Sequence, residues 1–212
     1  MKSSKDSGEA TGHNGSRAGN AAVRAGKVQI LTESALCVAL SVVLSMITLF
    51  KMPMGGSVTP FATLPVIIVG LRHGAKWGVS VALVYSLSQL LLGMSNVAAV
   101  PAQTFLHMAL CAMLDYVIAY TAVGLTGPIA VKFRRSVPGL SVAIVSTGLM
   151  RLACSFLSGV LIYGVYAPEG SSVALYSLAY NATWCLPDIG VTLAACLLLS
   201  RVRALALFPR RG

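Results

Sequence analysis

The 212 residues are 56% hydrophobic and only 10% charged, with a mean hydropathy of +0.80, a balance that excludes a soluble globular domain and defines an integral membrane protein. The net charge of +10 does not point to nucleic acid, because the basic residues are scattered between apolar runs and do not gather on one arm or face. Cys37, Cys111, Cys154, Cys185 and Cys196 all fall inside apolar runs without a CxxC pair, and the three histidines are dispersed. Neither a disulfide nor a metal site is expected from that pattern.

Residues 1–27 are rich in Gly, Ala, Ser and charge, which predicts a disordered cytoplasmic tail unable to bury enough apolar surface to fold. A six-helix membrane domain is expected over 28–203, and 204–212 reads as a second, basic cytoplasmic tail. The first span, Val28 to Phe50, is long enough to cross a bilayer. It carries Ala35 and Ala39 four residues apart, with Ser34, Ser41 and Ser45 nearby, a spacing that permits close approach of another helix. The connection KMPMGGSVTP cannot continue a helix. The next apolar run, Phe61 to Leu71, is short and contains Pro65, so a short, broken second helix is expected. A third span follows from Trp77 to Met94.

The uncharged loop SNVAAVPA leads to a fourth span, Gln103 to Leu125, in which Gln103, His107, Cys111 and Asp115 recur at steps of four. Asp115 falls deep in this span, where a bare carboxylate costs at least ~2.5 kcal/mol. It must be protonated, paired with a cation such as Arg151, or used to bind something. The fifth span, Pro138 to Val165, aligns Arg151, Ser155, Gly159 and Tyr163 at steps of four, with Ser158 and Ile162 beside them. The sixth, Val173 to Ser200, carries Ser177, Asn181, Trp184 and Asp188 on one stripe. Two such stripes read either as interhelical hydrogen-bond glue or as the walls of a pocket, since polar groups in hydrocarbon face a bundle interior or a cavity.

Fourteen of the sixteen Lys and Arg residues fall in the N-terminal tail, the 72–76 turn, the 132–135 loop and the C-terminus, whereas the opposite side has only Lys51. The positive-inside rule then gives six spans with both termini cytoplasmic, and places KMPMGGSVTP and YAPEGSS outside. No GxxxxGK[ST], GxSxG or HExxH motif occurs, so neither ATP hydrolysis nor hydrolytic chemistry is expected from this chain. What remains is a small membrane protein that binds a solute from outside and depends on an ion gradient or on partner subunits.

FKMPMGGSVT, LPVIIVGLRHGAKWG, LDYVIAYTAVGLTG, SGVLIYGVYAPEG and YSLAYN, in that order, resemble the successive signatures of the thiamine-specific substrate-binding (S) components of energy-coupling factor (ECF) transporters. The resemblance implies a multi-pass protein of the bacterial plasma membrane with a vitamin site near its external face, covered by the first loop. It implies partnership with a transmembrane coupling subunit and two ATPase subunits, with Ala35 and Ala39 docking on the coupling subunit. It also implies a ligand shell of Asp115, Tyr116, Gly159, Tyr163, Tyr176 and Asn181, with Gly56 in the covering loop and thiamine as ligand and no cofactor. Ser155 stands where a histidine is usual, and Cys111 where a glutamine is usual. A cationic thiazolium suits aromatic faces such as Tyr163 and Tyr176, and an aminopyrimidine can donate to Asp115. Alternatives are an S-component for a thiamine precursor or another vitamin, and a secondary transporter coupled to protons through Asp115 and Asp188; the latter usually shows paired broken helices in two repeats, and one broken segment is seen here.

Overall fold

A computed structural model describes residues 9–53, 56–101, 104–133 and 136–201, with side chains from residue 26 onward. In chain order the helices are α1 (Glu9–Ser45), α2 (Leu64–His73), α3 (Ala75–Leu92), α4 (Met94–Ala98), α5 (Phe105–Lys132), α6 (Val137–Leu161) and α7 (Val173–Arg201). Gly26–Ser45 of α1, together with α3, α5, α6 and α7, is long and apolar enough to cross a membrane, and α2 is a shorter apolar helix. The expected all-α integral membrane fold is therefore met, by five long apolar helices and one short one among the described residues.

Two strands interrupt the helices: β1 (Phe50–Lys51) pairs antiparallel with β2 (Ser57–Val58), Phe50 opposite Val58 and Lys51 opposite Ser57. The second helix is short, as its apolar run predicts. Pro65 lies in its first turn, where the missing N–H costs no hydrogen bond. The break therefore falls before α2, at the turn containing Phe61, whose φ is 66°. Part of the SNVAAVPA stretch coils into α4, and the fourth span runs further than expected, to Lys132. Gln103, Arg134, Arg135 and the tail 204–212 lie outside the described residues.

The helix α1 begins at Glu9, within the segment expected to be an N-terminal tail, and residues 1–8 lie outside the described region. No proline occurs between Glu9 and Ser45, and extension from an existing helix adds one hydrogen bond per residue without a new nucleation cost.

Short α2 lies at the centre of the bundle. Val66, Val69 and Leu71 are fully buried and join Tyr85 of α3, Ala130 of α5 and Leu140 of α6 in the main core. At the end remote from the hairpin, α2, α3 and α5 meet backbone to backbone. A Cβ on Gly127 would come within 2.2 Å of the Gly70 carbonyl oxygen, and one on Gly78 within 2.8 Å of Gly70 Cα. Small residues permit this approach, and van der Waals packing then supplies the attraction that hydrocarbon cannot. Glu33 of α1 forms ion pairs with Arg72 and with His73, the latter at 3.0 Å, tying α1 to the last turn of α2.

Candidate ligand-binding site

The opposite half of the bundle is hollow. The ends of α1 and α3, the hairpin, α4, and the upper turns of α5, α6 and α7 enclose a cavity of about 450 Å³. Gly56, Asp115, Tyr116, Ser155, Gly159, Tyr163, Tyr176 and Asn181, which come from the hairpin, three different helices and the turn after α6, all line it.

Asp115 and Tyr116 are adjacent in sequence yet both reach the cavity. They lie in Ala112–Ile118, a π-helical stretch of α5, whose wider turn redirects successive side chains. Asp115 Oδ2 accepts a hydrogen bond from Ser158 Oγ at 2.5 Å and a longer one from Cys111 Sγ at 3.6 Å. Cys111 Sγ is also 3.6 Å from the Tyr163 hydroxyl. Tyr116 is anchored at its hydroxyl, which accepts from Asn96 Nδ2 at 3.2 Å and donates to the Gly93 carbonyl at 3.4 Å.

Asn181 serves the walls as much as the interior. Its Nδ2 donates to the carbonyls of Ser155 (3.1 Å) and Ser177 (3.0 Å), and its Oδ1 accepts from Trp184 Nε1 at 3.2 Å. Ser177 Oγ donates to the Phe156 carbonyl at 2.9 Å. The stripes of α6 and α7 thus face each other, and the same residues act as interhelical glue and as cavity wall. Gly159 leaves room for Ser177, whose Oγ would be 2.1 Å from an added Cβ. Gly56, with φ +84°, lies against the indole of Trp184, where a Cβ would meet Nε1 at 2.5 Å. Aromatic pairs Tyr163–Tyr166 and Tyr176–Tyr180, with centroids 6.4 and 6.2 Å apart, complete this side.

The Arg151–Asp115 ion pair entertained from the sequence is not formed. Arg151 Nη1 bonds Asp188 Oδ2 at 2.8 Å, both side chains are almost fully buried, and the guanidinium lies 4.7 Å from the ring centre of Tyr120 and 5.6 Å from that of Trp184. The reason is depth. Asp115 meets Ser158, seven residues beyond Arg151 on α6, or about 10 Å along the axis at 1.5 Å per residue. Asp188 lies level with Arg151 on the adjoining α7.

Sequence reasoning missed Gln89, Asn96, Tyr120 and Tyr180 as cavity residues. Gln89 was findable, being a primary amide within an apolar span; the others carry no separate signal. With Arg151 neutralised by Asp188, the cavity presents one carboxylate, Asp115, several aromatic faces and hydroxyls, and Lys51 on the hairpin. Such an enclosure suits a small heteroaromatic molecule with a cationic ring and hydrogen-bond donors.

A multi-pass helical bundle with a polar and aromatic cavity of this size defines a solute-binding membrane protein. The description "Thiamine transporter protein (Thia_YuaJ)" matches residues 31–207. The chain is 31% identical over 180 residues to the thiamine transporter ThiT of Bacillus subtilis, spanning 79% of this chain and 88% of that one. It is 33% identical over 78 residues to ThiT of Lacticaseibacillus paracasei, 32% of this chain and 39% of that one. The solved structure of ThiT from Listeria monocytogenes shares its fold, with a TM-score of 0.69 at 22% identity, covering 87% of this chain and all of that chain. This chain belongs to the thiamine transporter protein family, and is a multi-pass protein of the bacterial plasma membrane.

Proposed function

We propose that this chain is the thiamine-binding S-component of an ECF-type vitamin importer. It would take thiamine at the external face and rely on a transmembrane coupling subunit and two ATPase subunits for transport. The observation that carries the reading is that eight positions separated widely in sequence, with Asp115 among them, line one cavity. In this reading Asp115 accepts from the aminopyrimidine, the tyrosines face the thiazolium, both termini are cytoplasmic, and α1 docks on the coupling subunit through Ala35 and Ala39. Ser155 and Cys111 leave a thiamine precursor or another vitamin as the nearest alternatives. A proton-coupled carrier is less favoured, because Asp188 is held by Arg151 and one carboxylate remains in the cavity.

The detergent-solubilised chain should bind thiamine saturably, and the chain reconstituted alone should show no concentrative uptake under a proton gradient. Vigorous proton-driven uptake without ATPase subunits would overturn the S-component reading. A precursor that binds and a thiamine that does not would reassign the ligand.

A further inference from the structure

Gln89 lies in the last turn of α3, is 9% exposed and lines the cavity. Its Nε2 donates to Ser45 Oγ at 2.9 Å, at the end of α1. Ser45 Oγ in turn donates to the Val42 carbonyl at 2.7 Å. A serine hydroxyl has one proton to give. With that proton committed to Val42, Ser45 can only accept from Gln89, and this fixes which way the carboxamide points: nitrogen toward α1, oxygen away from it. Among the described residues no group donates to Gln89 Oε1.

A fixed amide oxygen at the cavity wall offers an acceptor to a bound ligand, because a ligand that covers it without donating to it would cost that atom its hydration without recovering a bond. The proposed ligand has two kinds of donor, the exocyclic amine of its pyrimidine and the hydroxyl that ends the side chain of its thiazolium ring. Asp115, bonded by Ser158 through one oxygen, is a carboxyl group and so the acceptor better matched to the amidine-like pyrimidine edge. The hydroxyl needs no charge opposite it, and a neutral acceptor fixed by Ser45 supplies what it lacks.

We propose that Gln89 is a specificity-determining contact, its Oε1 accepting a hydrogen bond from the terminal hydroxyl of thiamine, with Ser45 as the positioning residue that holds the amide in this orientation. The inference rests on the thiamine reading given above. It assigns the α1–α3 wall to the tail of the ligand and the α5–α6 wall to its pyrimidine.

A double-mutant cycle tests it. Thiamine and an analogue with the tail hydroxyl replaced by hydrogen are titrated into the parent protein, Gln89→Met and Ser45→Ala. In the parent, loss of the hydroxyl should weaken binding about tenfold, the scale of one hydrogen bond. In Gln89→Met the two ligands should bind within about twofold of one another by the same argument. Ser45→Ala, which frees the amide to turn, should give an intermediate ratio, and it carries the test if Gln89→Met does not fold. A hydroxyl penalty unchanged in the variants overturns the assignment of Gln89 while leaving thiamine as the ligand. A parent protein that binds neither compound overturns the thiamine reading, and this inference with it.

Discussion

Asp188 shares its charge with Arg151 at 2.8 Å inside the bundle, whereas Asp115 is held by the neutral donors Ser158 and Cys111. Their substitutions should therefore have opposite signatures. Asp188→Asn leaves the Arg151 guanidinium buried without a counter-charge, and removing one partner of a buried pair costs on the order of 3–5 kcal/mol. Its thermal melting temperature should fall well below that of the parent. Asp115→Asn keeps the shape and strands no cation, so melting should change little while thiamine affinity drops by the ~1.5–3 kcal/mol of a hydrogen bond to a charged group. Melting curves paired with binding isotherms check both. An Asp115→Asn protein that binds as tightly as the parent would remove Asp115 from the site. That both carboxylates face the bundle interior was legible in the sequence, since each is an ionisable residue in an apolar span. Which of them Arg151 pairs with was not legible, because it depends on the relative depth of α5, α6 and α7 and not on spacing within any one of them.

At the scale of elements, the two wall helices and the floor differ in how well they could be read. The stripes on α6 and α7 follow regular α-helical periodicity, so steps of three and four found Ser155, Ser158, Ser177, Asn181 and Trp184, all of them buried inward. The π-helical stretch Ala112–Ile118 is different. Nothing in AMLDYVI, without Gly or Pro, marks an irregular turn. An α5 of regular geometry would send Asp115 and Tyr116 to faces about 100° apart. Met113 is exposed on the outer surface of the bundle, and deleting it should let this stretch return to α-helical winding. Circular dichroism should then show helix content retained while thiamine binding is lost. Retained binding would mean that the π-helical turn does not orient the two residues. The glycine contacts at the other end of α5 make a second such case: Gly70, Gly78, Gly124 and Gly127 are visible as glycines in the sequence, but their meeting point is a property of three helices together.

At the scale of the whole molecule, the cavity and the least covered helix surface lie toward opposite ends. Only 11% of the apolar window of α1 is buried within the bundle, against 28–39% for the other long helices. Ala35 and Ala39 are both exposed on it, in a surface with Leu31, Leu36, Leu40 and Val43. Small residues there would allow a neighbouring helix to approach closely, with flanking leucines and valine to grip it. The cavity end of α1, by contrast, begins at Ser45, six residues beyond Ala39 or about 9 Å along the axis. Glu33, which faces Arg72 and His73, is on the inward side of the same helix, so α1 is held by α2 on one face and free on the other. Replacing Ala35 and Ala39 together by Leu or Trp should therefore abolish assembly with the coupling subunit while leaving the thiamine isotherm of the isolated chain within about twofold of the parent, as additivity for distant sites requires. Co-purification with tagged coupling and ATPase subunits reads the first effect, and titration of the isolated variant reads the second. A double variant that still assembles and transports would place the docking surface elsewhere. A variant that loses ligand as well would mean that the two ends of α1 are mechanically joined, with α1 passing strain from its exposed face to the Ser45–Gln89 contact at the cavity wall.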